Sequence, residues 1–128
     1  MKPLRGVPLL KAIAEAATDK KAEDIAVLNL SSESGIADWF IICQGDNALH
    51  NRAIADNIAA ELLKRGMSPW HTEGARGASG GANSGSWIVM DFSDVIVHIM
   101  TPKVREYYNL EELWEAIDMK DIGTKSHE

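Results

Sequence analysis

His50, His71, His98, His127 and Cys43 are the side chains of this sequence best suited to hold a metal or a reactive proton. Zinc needs several such ligands at short, regular spacing. None of the histidines has a second histidine or a cysteine at that spacing, so no metal site is expected, and a surface or hydrogen-bonded ring is the plainer reading. His98 stands apart because it lies inside an apolar run, where a polar ring on a sheet face needs a partner. Cys43 closes another apolar run with no basic neighbour in sequence, and reads as a small buried residue. No serine sits in a nucleophile elbow. Gly77 to Gly85 is glycine-rich but lacks the Gly-Lys-Ser/Thr ending of a phosphate loop and leads into a strand, so no helix N-terminus would meet a phosphate. Two-metal transfer chemistry needs acids converging on ions about 4 Å apart, as at i and i+2 of one strand. Asp91 and Asp94 instead straddle a turn, and Asp38 stands alone. No catalytic residue, cofactor site or metal site is expected, and the chain reads as a non-enzyme.

The elements that would position these residues follow from periodicity. Leu9, Leu10, Ile13, Ala14 and Ala17 recur at helical spacing. Ile25 to Leu30 reads as a strand buried on both faces, and Asp38 to Cys43 as a second, β-branched and aromatic run. Asp46 or Asn47 is placed to cap a second helix with Ile54, Ala55, Ile58, Ala59, Leu62 and Leu63 on its apolar side and Gly66 at its left-handed end. Ser68 to His71 is a candidate short strand. Gly74 to Ser86, rich in Gly, Ala and Ser, reads as a loop within the domain. Trp87 to Phe92 and Val95 to Met100 form a hairpin through Ser93 and Asp94, although serine suits the positive φ of such turns poorly. Thr101 and Pro102 open a short helix. Asn109 with Glu112 resembles a capping box, starting a last helical turn or two through Trp114 and Ile117. A hairpin together with a helical crossover gives a mixed sheet of about five strands with flanking helices, an α/β (α+β) fold. With 128 residues the chain reads as one domain, 1–128, its core about 9–117 and 118–128 a polar tail.

Net charge is −6, with thirteen Lys and Arg scattered along the chain. Phosphate binding wants those charges clustered, so direct DNA binding is not expected. A basic protein is the better electrostatic match. No apolar run reaches the roughly 20 residues of a membrane span, and the first eight residues carry no apolar signal core, so a cytoplasmic location is expected.

Trp87-Ile88-Val89-Met90-Asp91-Phe92 carries apolar groups on both faces. Alternation sends Trp87, Val89 and Asp91 one way and Ile88, Met90 and Phe92 the other. Either helices cover both faces, or a partner covers one, and an exposed Trp with Met and Phe has the composition of a binding hot spot.

Four ordered motifs resemble the ribosomal silencing factor (RsfS/Iojap) family. They are the Asp38-Trp39-Phe40-Ile41-Ile42-Cys43-Gln44-Gly45 segment, the Glu73-Gly74 pair, the Trp87-to-His98 hairpin with Asp91 and Asp94, and the closing run from Arg105 through Tyr108, Leu110 and Glu111 to Trp114. The resemblance extends from about Leu9 to Trp114. Asn29 in place of a frequent Asp, Ser93 in place of a common Gly, and a longer Gly74-to-Ser86 loop depart from the pattern. The resemblance implies a nucleotidyltransferase-like topology without the active site. It also implies docking on the large ribosomal subunit through the L-fourteen-family ribosomal protein, steric blockage of small-subunit joining, repression of translation, and a homodimer in some members. It assigns partner binding to Trp87, Met90, Asp91 and Phe92, supported by Asp94 and His98. The alternatives are a nucleotidyltransferase-like nucleotide-binding enzyme and a dimeric scaffold that buries Trp87 against its own copy.

Overall fold

The computed structural model describes residues 4–30, 37–75, 84–112 and 116–117. In chain order the elements are α1 (Gly6–Asp19), β1 (Glu23–Asn29), β2 (Trp39–Gln44), α2 (Ala48–Leu63), β3 (His71–Glu73), β4 (Trp87–Asp91), β5 (Val95–Met100), α3 (Pro102–Tyr108), a 3-10 turn (Leu110–Glu112) and β6 (Ala116–Ile117). The strands form one sheet in the order β3-β4-β5-β2-β1-β6. β2 and β5 run parallel, and the other neighbours run antiparallel. The mixed sheet with flanking helices is therefore as expected, with a two-residue sixth strand added.

Both long helices pack on one face. The stripe of α1 predicted from Leu9 to Ala17 is buried. It meets Ile54, Ala55, Ile58 and Leu62 of α2 and, beneath them, Val27, Ile41, Cys43, Ile88, Met90, Val97 and Ile99 of the sheet. Burial of each large side chain there stabilises the fold by roughly 1.5–3 kcal/mol. Asn47 caps α2, its side chain accepting from the His50 N–H at 2.9 Å. At the other end Met67 N–H bonds Leu62 O and Gly66 N–H bonds Leu63 O, both at 2.9 Å, with Gly66 at φ +76°. This is the paired-bond C-terminal cap that a left-handed glycine permits.

The opposite face is only partly roofed. Leu28, Leu30, Phe40, Ile42 and Met100 are buried there, with Val104 of α3 and Leu110 of the 3-10 turn packed against them. Arg105 holds this roof together through a fork onto Glu111, Nε to Oε1 at 3.0 Å and an outer nitrogen to Oε2 at 3.1 Å.

Four local expectations are corrected. The short strand lies at His71–Glu73 instead of Ser68 to His71, because Trp70 N–H pairs with the Asp91 carbonyl and sets the register with β4. Thr101 occupies the position before α3 but makes no side-chain cap bond. Asn109 closes α3 in the left-handed region, φ 44°, and a 3-10 turn does start after it, its carbonyl accepting the Glu112 N–H at 3.2 Å, but its amide bonds the Glu112 carboxylate, so the side chains do not form a capping box. Ile117 pairs with Val27 in β6 rather than extending a helix. Leu113, Trp114 and most of the Gly-rich segment (76–83) lie outside the described residues.

Candidate docking face

Directly paired strand residues share a face, so the register lays out the open side of the sheet in rows. One row runs Glu73, Val89, His98, Ile42. The next runs His71, Asp91, Ile96, Phe40, Leu28. Trp87 lies opposite Met100 at the end nearest α3. Trp87, Val89, Asp91 and Ile96 are half-buried, and among the described residues no helix covers the β3–β4 side of these rows. The other side of the same ribbon is sealed. Ile88, Met90 and Phe92 are at most 4 % exposed beneath the helices. Met90 and Phe92, expected at the contact surface, thus lie in the core and offer no surface in this conformation. The reason is alternation: two residues that share a face with Ile88 cannot also share one with Trp87.

His98 is 6 % exposed and fixes Trp87. The indole Nε1–H donates to His98 Nδ1 at 3.0 Å. An indole nitrogen can only donate, so Nδ1 must be unprotonated and the neutral ring carries its hydrogen on Nε2. That nitrogen has no partner among the described residues. Burial pushes the His98 pKa down to about 4, in accord with the neutral tautomer. Phe40 meets the imidazole edge-on, 4.4 Å between centroids, and Tyr108 lies 4.7 Å from the Trp87 indole. Trp87 is thereby braced from β5 and from α3.

Two hollows flank Trp87. One, about 400 Å³, runs from Ser86 and Trp87 past Lys103 and Val104 to Tyr107 and Tyr108. The other, about 320 Å³, is lined by Glu73, Gly74, Trp87 and Val89.

The Asp91 carboxylate and the Asp94 main chain shape the hairpin turn. Asp91 Oδ1 accepts the Ser93 N–H at 2.8 Å, and Asp94 N–H bonds the Phe92 carbonyl across Ser93, at φ 77°. This is the tight three-residue turn that glycine would adopt with less strain. The Asp94 carbonyl receives the N–H groups of Asp38 and Trp39, tying the turn to the start of β2.

Several contributors were not foreseen from sequence. Asn51 is fully buried on α2 and donates to the Gly85 carbonyl at 2.8 Å. Arg52 reaches the carbonyls of Ala75 and Ser84 at 3.5 and 3.2 Å. Together they fasten both ends of the Gly-rich segment beside Trp87. A polar residue three before Ile54, on an otherwise apolar helical stripe, was the available signal for Asn51. Trp70 is 82 % exposed next to β3, and nothing in its sequence surroundings distinguished it. Cys43 is buried and its thiol pushed up to about 12 by desolvation, so it is inert, as expected. Among the described residues no group of three His, Cys, Asp or Glu could hold a metal, and no helix is long and apolar enough to cross a membrane.

Residues 4–128 match the family model described as "Ribosomal silencing factor during starvation", RsfS. The chain belongs to the RsfS family. A ribosomal silencing factor RsfS of Bacillus subtilis (strain 168) is 35 % identical over 114 residues, covering 89 % of this chain and 91 % of the relative. A crystal structure of a Chromobacterium violaceum protein superposes with a TM-score of 0.78 at 30 % identity, covering 90 % of each chain. The mouse protein named "Mitochondrial assembly of ribosomal large subunit protein 1" is 29 % identical over 104 residues, 80 % of this chain and 43 % of its own length. The motifs that marked the resemblance to RsfS converge in space. The Glu73-Gly74 pair and the Trp87 hairpin build the open part of the face, the Asp38 segment supplies Phe40 against His98, and Arg105 with Tyr108 and Glu111 belongs to the roof over the adjoining part.

Proposed function

We propose that this RsfS-family chain represses translation in the cytoplasm by docking on the large ribosomal subunit, through the L-fourteen-family ribosomal protein, and excluding the small subunit by its bulk. No bond is made or broken. The observation that carries the reading is the asymmetry of the hairpin: Met90 and Phe92 are sealed in the core, while Trp87 stands half-buried at the edge of a partly roofed face, held in one orientation by His98. A pre-fixed aromatic anchor loses little conformational freedom on binding. Trp87 and Asp91 would make the contact, Asp94 and His98 would support it, and Met90 and Phe92 would stiffen it from below. The family description and the name of the mouse relative support a ribosomal partner, and the net charge of −6 supports a basic protein within it.

The test is subunit joining followed by light scattering. Purified protein, added to large subunits before small ones, is expected to suppress joining, and Trp87→Ala to bind large subunits at least about 30-fold more weakly, as truncation of a hot-spot anchor worth about 2 kcal/mol or more requires. Undiminished joining at concentrations that saturate the large subunit would defeat the proposal.

A further inference from the structure

The hollow on the β3 side of Trp87 has a chemistry of its own. Its lining combines one carboxylate (Glu73), one aromatic ring (Trp87), one aliphatic side chain (Val89) and the bare backbone of Gly74. Gly74 sits at φ +88°, and a Cβ there would run into the Trp87 carbonyl oxygen, so no side chain of this position can fill the space. The ring is immobilised by the Nε1–H bond to His98. Glu73 Oε2 accepts from His71 Nε2 at 2.6 Å, which orients the carboxylate and, among the described residues, leaves Oε1 to a guest. The next row on the same face adds Asp91, and among the described residues no Lys or Arg lines the hollow, whereas Lys103 lines the hollow on the α3 side.

An aromatic ring attracts a cation within about 6 Å of its centre. A carboxylate supplies the counter-charge, and an aliphatic floor suits the methylene stem of a long basic side chain. An anion would meet the Glu73 carboxylate and, among the described lining residues, no Lys or Arg, and an apolar side chain would desolvate Glu73 without return. We propose that the Glu73–Trp87 hollow receives one basic side chain, lysine or arginine, of the protein on which this face docks. The assignment rests on the docking reading above and specifies the partner's chemistry at one point of the contact.

The probe is purified large ribosomal subunits, and binding is measured for wild type, Glu73→Gln, Glu73→Lys, Trp87→Ala and a control, Asp56→Asn, which removes an exposed charge on α2. Glu73 is itself exposed, 69 % at its side chain, so its variants are expected to melt with the wild type. Glu73→Gln should weaken binding about tenfold and Glu73→Lys about a hundredfold, since a like charge at a contact is actively unfavourable, with Asp56→Asn within about twofold. Retention of affinity in both Glu73 variants while Trp87→Ala loses it would overturn the basic-side-chain receptor and leave the docking face standing. Equal loss in Glu73→Gln and Asp56→Asn would also overturn it, as the effect would then be long-range charge alone. Wild type that captures no large subunits would remove the docking reading, and this inference with it.

Discussion

An imidazole sealed beside an indole behaves as a neutral acceptor, and that has a cost in acid. In the unfolded chain a histidine protonates near pH 6.5, whereas His98 in the fold resists protonation down to about 4. Above pH 6.5 neither state binds the proton and His98 is silent. As pH falls from 6.5 to 4 the unfolded state takes it up first, and stability drops by about 3 kcal/mol in total. Denaturant melts from pH 7 to pH 4 should therefore steepen for wild type relative to His98→Gln, which keeps an acceptor for the indole without a titratable ring; parallel curves would refute the assignment. Ser93 makes the second residue-scale prediction. Its φ of 77° favours glycine, so Ser93→Gly should stabilise the hairpin by about 1 kcal/mol, seen as a higher denaturation midpoint at unchanged slope. The need of His98 for a partner was legible in the sequence, because alternation put a polar ring on an apolar strand. The identity of that partner was not. Trp87 reaches it diagonally across the hairpin, and only the register, Val89 opposite His98, brings the two together.

At the scale of elements, α2 does more than cover the sheet. Asn51 and Arg52 bind the carbonyls of Gly85, Ser84 and Ala75, so one turn of helix pins the segment that delivers Trp87. Asn51→Ala would leave a buried carbonyl unpaired and should cost about 2 kcal/mol, with faster amide exchange at Ser86 and Trp87 than in the centre of α2. Uniform acceleration over the whole sheet would mean the clamp is not local. α3 is tied to the 3-10 turn by a fork, besides the packing of Val104 and the Tyr108–Trp87 contact. Hydrogen bonding to Arg105 holds the Glu111 carboxyl below the usual carboxylate range, so this contribution is present at neutral pH and is lost as pH falls through the folded value. Glu111→Gln should expose the half-buried Val104 and Leu110 to solvent while leaving α1 and α2 intact, measurable as local exchange. The long elements were readable because Leu9 to Ala17 and Ile54 to Leu62 carry a full amphipathic period. The three residues of β3 and the two of β6 carry none, and only pairing with β4 and β1 defines them.

At the scale of the whole molecule, the open face and the net charge act together. A protein of charge −6 approaching a ribosomal subunit is repelled by RNA phosphates and attracted by basic ribosomal proteins. The two forces have opposite signs, and salt screens both over a distance that shrinks from about 10 Å at 0.1 M to about 3 Å at 1 M. With the isolated L-fourteen-family protein, the partner proposed above, only the attraction would be present, so the association rate should fall steeply as salt rises, with little change in dissociation. On the intact large subunit the screened repulsion offsets part of that loss, and the same titration should be shallower. Stopped-flow traces on both partners give the two slopes. A steeper fall on the intact subunit would mean that basic groups of this chain meet RNA directly. In that event the scattered lysines and arginines, rather than the Trp87 face, would set the encounter.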